Sequence, residues 1–194
     1  GGSVTSGSGA SHGSYSWRGL IGEWLKNNFP EANITNCNKA LGETGTHLGV
    51  YRLNKAVIEE KPDLLFLEYS INDFYDKASY ERASTQFETI VRQVKEALPN
   101  CDIVTILVTD FNQAQNLLNG ELHAAAKAHS DIAAVYGLPV INVGSALADT
   151  LGALNWVPAA SYGEDTVWSE YVKDLVHPLD KGYQVYFNVI KEYL

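Results

Sequence analysis

Ser3, Asp174 and His177 are residue types that could supply a nucleophile, an orienting acid and a base. A serine hydroxyl attacks a carbonyl only when a neighbouring base takes its proton, and a carboxylate on the far side of the base fixes its tautomer. The opening stretch "GGSVTSG" presents Ser3 after two glycines, which tolerate the backbone angles of a sharp turn. "KDLVHPLDKGY" holds Asp174 and His177 three residues apart, with Pro178 starting the final helix. Two intervening stretches offer hydrogen-bond donors for a tetrahedral oxyanion: the Gly- and Thr-rich "NKALGETGTH", and Ile71-Asn72-Asp73, where Asn72 could present its amide. Together these make an acyl-transfer set. Singly each is ordinary: Asp/His pairs near helix starts are common structural features, and Asn72-Asp73 alone reads as a turn.

Other chemistries find less support. His12, His47, His123 and His129 lack paired ligand spacing, so no metal is expected. "GSGASH" approaches a dinucleotide loop but lacks the third glycine and the acidic partner, and there is no G-x-S-x-G elbow, Walker loop or H-E-x-x-H. No cofactor is expected. A net charge of -9 with no basic cluster speaks against a nucleic-acid groove or an anionic membrane surface as partner. No apolar run approaches the ~20 residues of a membrane-spanning helix. Cys37 and Cys101 are too few and too far apart for a disulfide scaffold, and inert packing is the expected role of both. Nothing in the sequence fixes the compartment, an extracellular or cell-surface setting being the preferred reading.

These residues must be positioned by a framework, and its pattern is legible. Apolar runs alternate with amphipathic stretches, as in a parallel sheet wrapped by helices. Strands are predicted at "ANITNC", "DLLFLEYS", "DIVTILVT" and "LPVINV", near residues 34, 66, 105 and 141. Helices are predicted over 15–29, from "HLGVYRLNKAVIEE" to Pro62, over 79–98, through "NGELHAAAKAHSDIAAVYG", over 145–154 and over 180–194. The 194 residues suit one domain, 1–194, with a sizeable core. A doubly wound sheet places a strand directly before its first turn and helix. That strand would precede Gly1, so upstream residues or another chain are expected to fill a slot between the strands near residues 34 and 66.

Taken in order, "GGSVTSG", "NKALGETGTHLGVYRL", "PDLLFLEYSIND" and "DLVHPLDKGY" resemble the four blocks of the SGNH, or GDSL-type, hydrolase family. The resemblance implies a flavodoxin-like three-layer α/β/α sandwich. It implies Ser3 as nucleophile, His177 as base and Asp174 as its orienter, with the Asn72 amide and the Ser3 backbone N–H on the oxyanion. The first block reads Gly-Gly-Ser where many members have Gly-Asp-Ser. Counted from Asn38, the family's oxyanion glycine falls on Glu43, with Gly42 just before it. Any N–H can donate, but a glycine's backbone freedom is not expected to transfer to Glu43. Either Gly42 takes the role, or Glu43 donates with its carboxylate turned away.

The function this implies is an esterase working through a covalent acyl-enzyme, with carbohydrate O-acetyl groups as the expected substrate. A lipid or thioester acylhydrolase, an acyltransferase, or a non-catalytic carbohydrate-binding module are the alternatives. The saccharide expectation draws on "NWVPAASYGEDTVWSEYVKD", which runs into Asp174 carrying Trp156, Tyr162, Trp168 and Tyr171. Flat rings beside a hydrolytic site suit sugar faces, making Trp156 and Trp168 candidate substrate contacts. The competing reading is that they pack the loop onto the sheet.

Overall fold

The computed structural model describes residues 1–194. Its ten α-helices are α1 Ser3–Ser6, α2 Trp17–Asn28, α3 Thr46–Ala56, α4 Ser70–Tyr75, α5 Tyr80–Ala97, α6 Phe111–Leu118, α7 Ala124–Val135, α8 Val143–Ala153, α9 Trp168–Tyr171 and α10 Asp180–Ile190. The strands are β1 Leu64–Leu67, β2 Asp102–Leu107 and β3 Val140–Asn142. The chain forms two compact units interleaved in sequence. One comprises Gly1–Gly2, Lys39–Val108 and Leu122–Asn142; the other comprises Ser3–Asn38, Thr109–Glu121 and Val143–Leu194.

The first unit holds the sheet. Its strands are all parallel in the order β1-β2-β3, with Leu65 opposite Ile103 and Ile106 opposite Ile141. Parallel strands covered by helices read as continuous apolar runs, and β2 is buried from Ile103 to Leu107. Helix α5 begins where the Ser79 side chain accepts from the Arg82 N–H at 3.2 Å, a cap that removes one orphan donor. Its apolar positions Phe87, Ile90, Val91 and Val94 recur at helical spacing and pack with Leu53, Leu67, Tyr69 and Ile103 in one core.

The second unit is helical. Helix α10 packs on α2, α8 and α9, and α6 packs on α8. Trp17, Ile21, Leu147, Leu151, Tyr183, Tyr186 and Ile190 are among its buried apolar side chains.

The parallel α/β class is as expected, and the predicted helices form with shifted ends. The strand expected near residue 34 does not form. Ile34 is the lone strong β-former of "ANITNC", and the Asn36 amide is spent on the Arg18 carbonyl at 2.8 Å, which ties this segment to α2. Without that strand the predicted slot is not defined, and β1 pairs with β2 alone. Helix α6 was not anticipated, because its polar residues dilute the periodicity; Asp110 starts it by accepting from the Gln113 N–H at 2.9 Å. Asn72 sits on helix α4 rather than in a turn. Cys101 is buried, whereas Cys37 is exposed, so packing does not account for it. No helix is long and apolar enough to cross a membrane.

Candidate active site

Ser3, Asp174 and His177 all belong to the second unit, and the structure brings them into one hydrogen-bonded chain. Ser3 Oγ lies 2.8 Å from His177 Nε2, and His177 Nδ1 lies 2.8 Å from Asp174 Oδ2. The two bonds assign the tautomer: Nδ1 carries the proton toward the carboxylate and leaves Nε2 to accept from the hydroxyl. Asp174 Oδ1 accepts from the backbone N–H groups of Val176 and His177, both at 2.9 Å. Burial pushes the Asp174 carboxyl upward, but those N–H groups and the His177 ring outweigh it and hold the pKa below its ordinary value.

Sequence explains both anchors. Ser3 opens the four-residue helix α1, whose last turn closes on the Ser3 carbonyl through Gly7 N–H at 3.1 Å and Ser8 N–H at 3.0 Å. The Asp174–His177 loop is clamped at its base by Lys173 N–H to His177 O and Leu179 N–H to Tyr171 O, both 2.7 Å. At its crown, Leu175 O accepts from Phe111 N–H at 2.7 Å.

Trp168 sits against this loop, with Trp156 beside it, and the two are buried, at 1% and 6% exposure. The rings stack with centroids 5.9 Å apart. Neither offers an open face to a sugar, so the structure replaces the expected substrate contact with a supporting one. The Trp168 indole N–H donates to the Asp174 carbonyl at 3.1 Å. Asp165, which sequence reasoning missed, accepts from the Trp156 indole and from the Trp168 backbone N–H. Its signal was faint: an acid between two tryptophans, each with a polar N–H that must be satisfied when buried.

The remaining predicted residues, Gly42, Glu43 and Asn72, belong to the first unit, as do Gly1 and Gly2. Gly2 N–H donates to the buried Glu68 Oε2 at 3.2 Å, and Gly1 O accepts from Leu41 N–H at 2.9 Å. The dipeptide thus touches the segment leading into Gly42–Glu43. It also touches Asn72: a Cβ on Gly2 would stand 2.0 Å from Asn72 Oδ1. That contact gives a physical reason for Gly-Gly-Ser here, since any side chain at position 2 would displace Asn72. The Oδ1 edge of the amide is the one nearest Gly2.

Glu43 corrects one expectation. Its φ is +59°, so it adopts the left-handed conformation of a glycine without being one. Its side chain is exposed. Left-handed backbone costs an L-residue roughly 1–2 kcal/mol, partly offset by the extra chain entropy of glycine, so Glu43→Gly is expected to stabilise by about 0.5–1 kcal/mol. Thermal melting checks this; a fall in melting temperature would mean that the glutamate makes a stabilising contact larger than its strain.

A serine bonded to a carboxylate-oriented histidine, in a parallel α/β chain, has the arrangement of a serine hydrolase. The chain belongs to the GDSL-like lipase/acylhydrolase family, whose profile matches residues 1–185. No curated protein sequence matches the chain. Among solved structures it is similar to a two-domain esterase (CEX) active on acetylated mannans, at TM-score 0.81 and 24% identity. That alignment covers 99% of this chain and 46% of the esterase, so the chain spans about half of that protein. It is also similar to Axe2, an acetyl-xylooligosaccharide esterase of Geobacillus stearothermophilus, at TM-score 0.76 and 15% identity, covering 98% of this chain and 90% of Axe2. A third similar structure is LAE5, an alpha/beta hydrolase from the metagenome of Lake Arreo, Spain, at TM-score 0.75 and 16% identity, covering 98% and 90%. These likenesses show a common fold.

Proposed function

We propose that this chain is a carbohydrate O-acetyl esterase acting through an acetyl-enzyme on Ser3. The observation that carries the reading is Ser3 Oγ at 2.8 Å from His177 Nε2, with Asp174 on the other ring nitrogen. In the first half-reaction His177 takes the hydroxyl proton as Ser3 Oγ bonds to the acetyl carbon. The tetrahedral oxyanion collapses, the bond to the sugar oxygen breaks, and that oxygen leaves with the proton from His177. Water then repeats the attack on acetyl-Ser3 with His177 as base; acetate leaves, and Ser3 recovers its proton.

The oxyanion falls to the Ser3 N–H, the Asn72 amide and the Glu43 N–H, roles that rest on the family resemblance. Support for Asn72 and Glu43 comes from the close approach of Asn72 to Gly2 and from the glycine-like backbone of Glu43. The saccharide part is supported by fold likeness to esterases described as acting on acetylated mannans and acetyl-xylooligosaccharides. Acetate release from acetylated manno- and xylo-oligosaccharides, compared with hydrolysis of long-chain acyl esters, tests it. Higher kcat/KM on the acetylated sugars is the expected result. A preference for long acyl chains would overturn the saccharide reading in favour of a lipid acylhydrolase.

A further inference from the structure

We infer that the buried Asp73–His129 pair is a positioning device for the oxyanion donors, tying the helix that carries Asn72 to the start of the helix that follows Gly42–Glu43. This rests on the oxyanion roles proposed above and extends them to residues that touch no reacting atom. Helix α4 has six residues, far fewer than a helix needs to hold itself in water. Something outside it must fix Asn72. Its neighbour Asp73 is 1% exposed and faces three donor groups. Thr46 N–H reaches Oδ1 at 2.8 Å, Thr46 Oγ1 reaches Oδ2 at 2.9 Å, and His129 Nε2 reaches Oδ2 at 2.9 Å.

The first of these bonds replaces a missing cap. Gly45, the N-cap of α3, has no side chain to accept from the first turn, and Asp73 takes the N–H of Thr46 instead. Glycine is required there because a Cβ would stand 2.3 Å from Asp73 Oδ1 and 2.7 Å from Asp76 Oδ2. The segment 41–46 is thus pinned at both ends, by Gly1 O on Leu41 and by Asp73 on Thr46. His129 completes the device from α7. Its ring is fully buried and stacks on Phe87 with centroids 4.2 Å apart, and Nε2 is the nitrogen that faces an acceptor, Nδ1 having none. One carboxylate therefore fixes α4, the start of α3 and a side chain of α7 together.

An oxyanion donor lowers the barrier only when it is in place before charge develops. Loosening Asp73 should therefore lower kcat and leave KM nearly unchanged. The test is p-nitrophenyl acetate kinetics with thermal melting for Asp73→Asn, Asn72→Ala, their double variant, His129→Gln and His129→Leu. Asp73→Asn is expected to lower kcat about 10- to 100-fold, the scale of a donor displaced by about an ångström. In the Asn72→Ala background its cost should shrink at least about 3-fold, because one of the donors it places is gone and the Glu43 segment alone remains to be loosened. His129→Gln, which keeps an N–H donor, should retain kcat within about 3-fold, while His129→Leu should fall with Asp73→Asn. If Asp73→Asn fails to fold, the two His129 variants carry the comparison. Losses at 72 and 73 that multiply in full, or variants at 73 and 129 that melt lower at unchanged kcat, would overturn the inference. Full activity in Asn72→Ala would instead overturn the oxyanion role of Asn72 on which it rests.

Discussion

Ser3→Ala should abolish ester hydrolysis, lowering kcat on the order of 10⁴-fold or more, with the melting temperature unchanged. The loss is large because the hydroxyl is the group that His177 Nε2 faces at 2.8 Å, and alanine leaves the base nothing to activate. The fold should survive because helix α1 is closed through the Ser3 carbonyl, which accepts from Gly7 and Ser8 N–H and from Ser6 Oγ. The methyl group of alanine keeps that backbone. A fluorophosphonate probe gives a second readout: wild type should label once, and Ser3→Ala should not label. Activity within tenfold of wild type would place the nucleophile elsewhere. Wild-type protein that neither labels nor releases acetate would favour the carbohydrate-binding module.

The acyl-transfer set was readable from sequence because each of its members carries its chemistry in a short local signature. Asp174 and His177 lie in one short loop, and Ser3 follows a pair of glycines. Their union across 174 positions came from the order of the blocks rather than from any local periodicity. Elements with strong apolar periodicity, such as α5 and β2, were equally legible. What failed had weak or misleading local signals. "ANITNC" contains a β-former and threonine, yet its asparagine side chains compete for backbone partners. Trp156 and Trp168 read as sugar platforms because aromatic residues in irregular segments have two uses, and only burial distinguishes them. Glu43 shows the limit of composition-based backbone arguments, because a non-glycine residue stands there at positive φ. Asp73 and His129 are separated by 56 positions, and no spacing rule links them. His129 looked unassigned for want of a ligand partner, when its partner was the residue after Asn72.

Asp174→Asn should be nearly as damaging as loss of the nucleophile, lowering kcat on the order of 10³- to 10⁴-fold at neutral pH. Asparagine can keep Oδ1 as acceptor for the Val176 and His177 N–H groups, so the loop should persist. Its amide –NH2 then occupies the place of Oδ2 and presents a donor to His177 Nδ1. The ring must accept there and carry its proton on Nε2, where it can no longer receive the proton of Ser3. Wild-type Asp174 stays ionised through the working range, because its pKa lies below the ordinary carboxylate value. A depressed folded pKa stabilises the fold above the unfolded value, near 3.9, and the stabilisation is lost as pH falls through the folded one. The melting-temperature gap between wild type and Asp174→Asn should therefore be present at pH 7 and shrink below about pH 4. Between pH 5 and 9 the kcat of the variant should stay low throughout, since no change of pH restores the tautomer. A variant that keeps kcat within tenfold would mean that another group orients His177. A variant that regains activity as pH rises would mean that the amide slowed deprotonation without fixing the wrong tautomer.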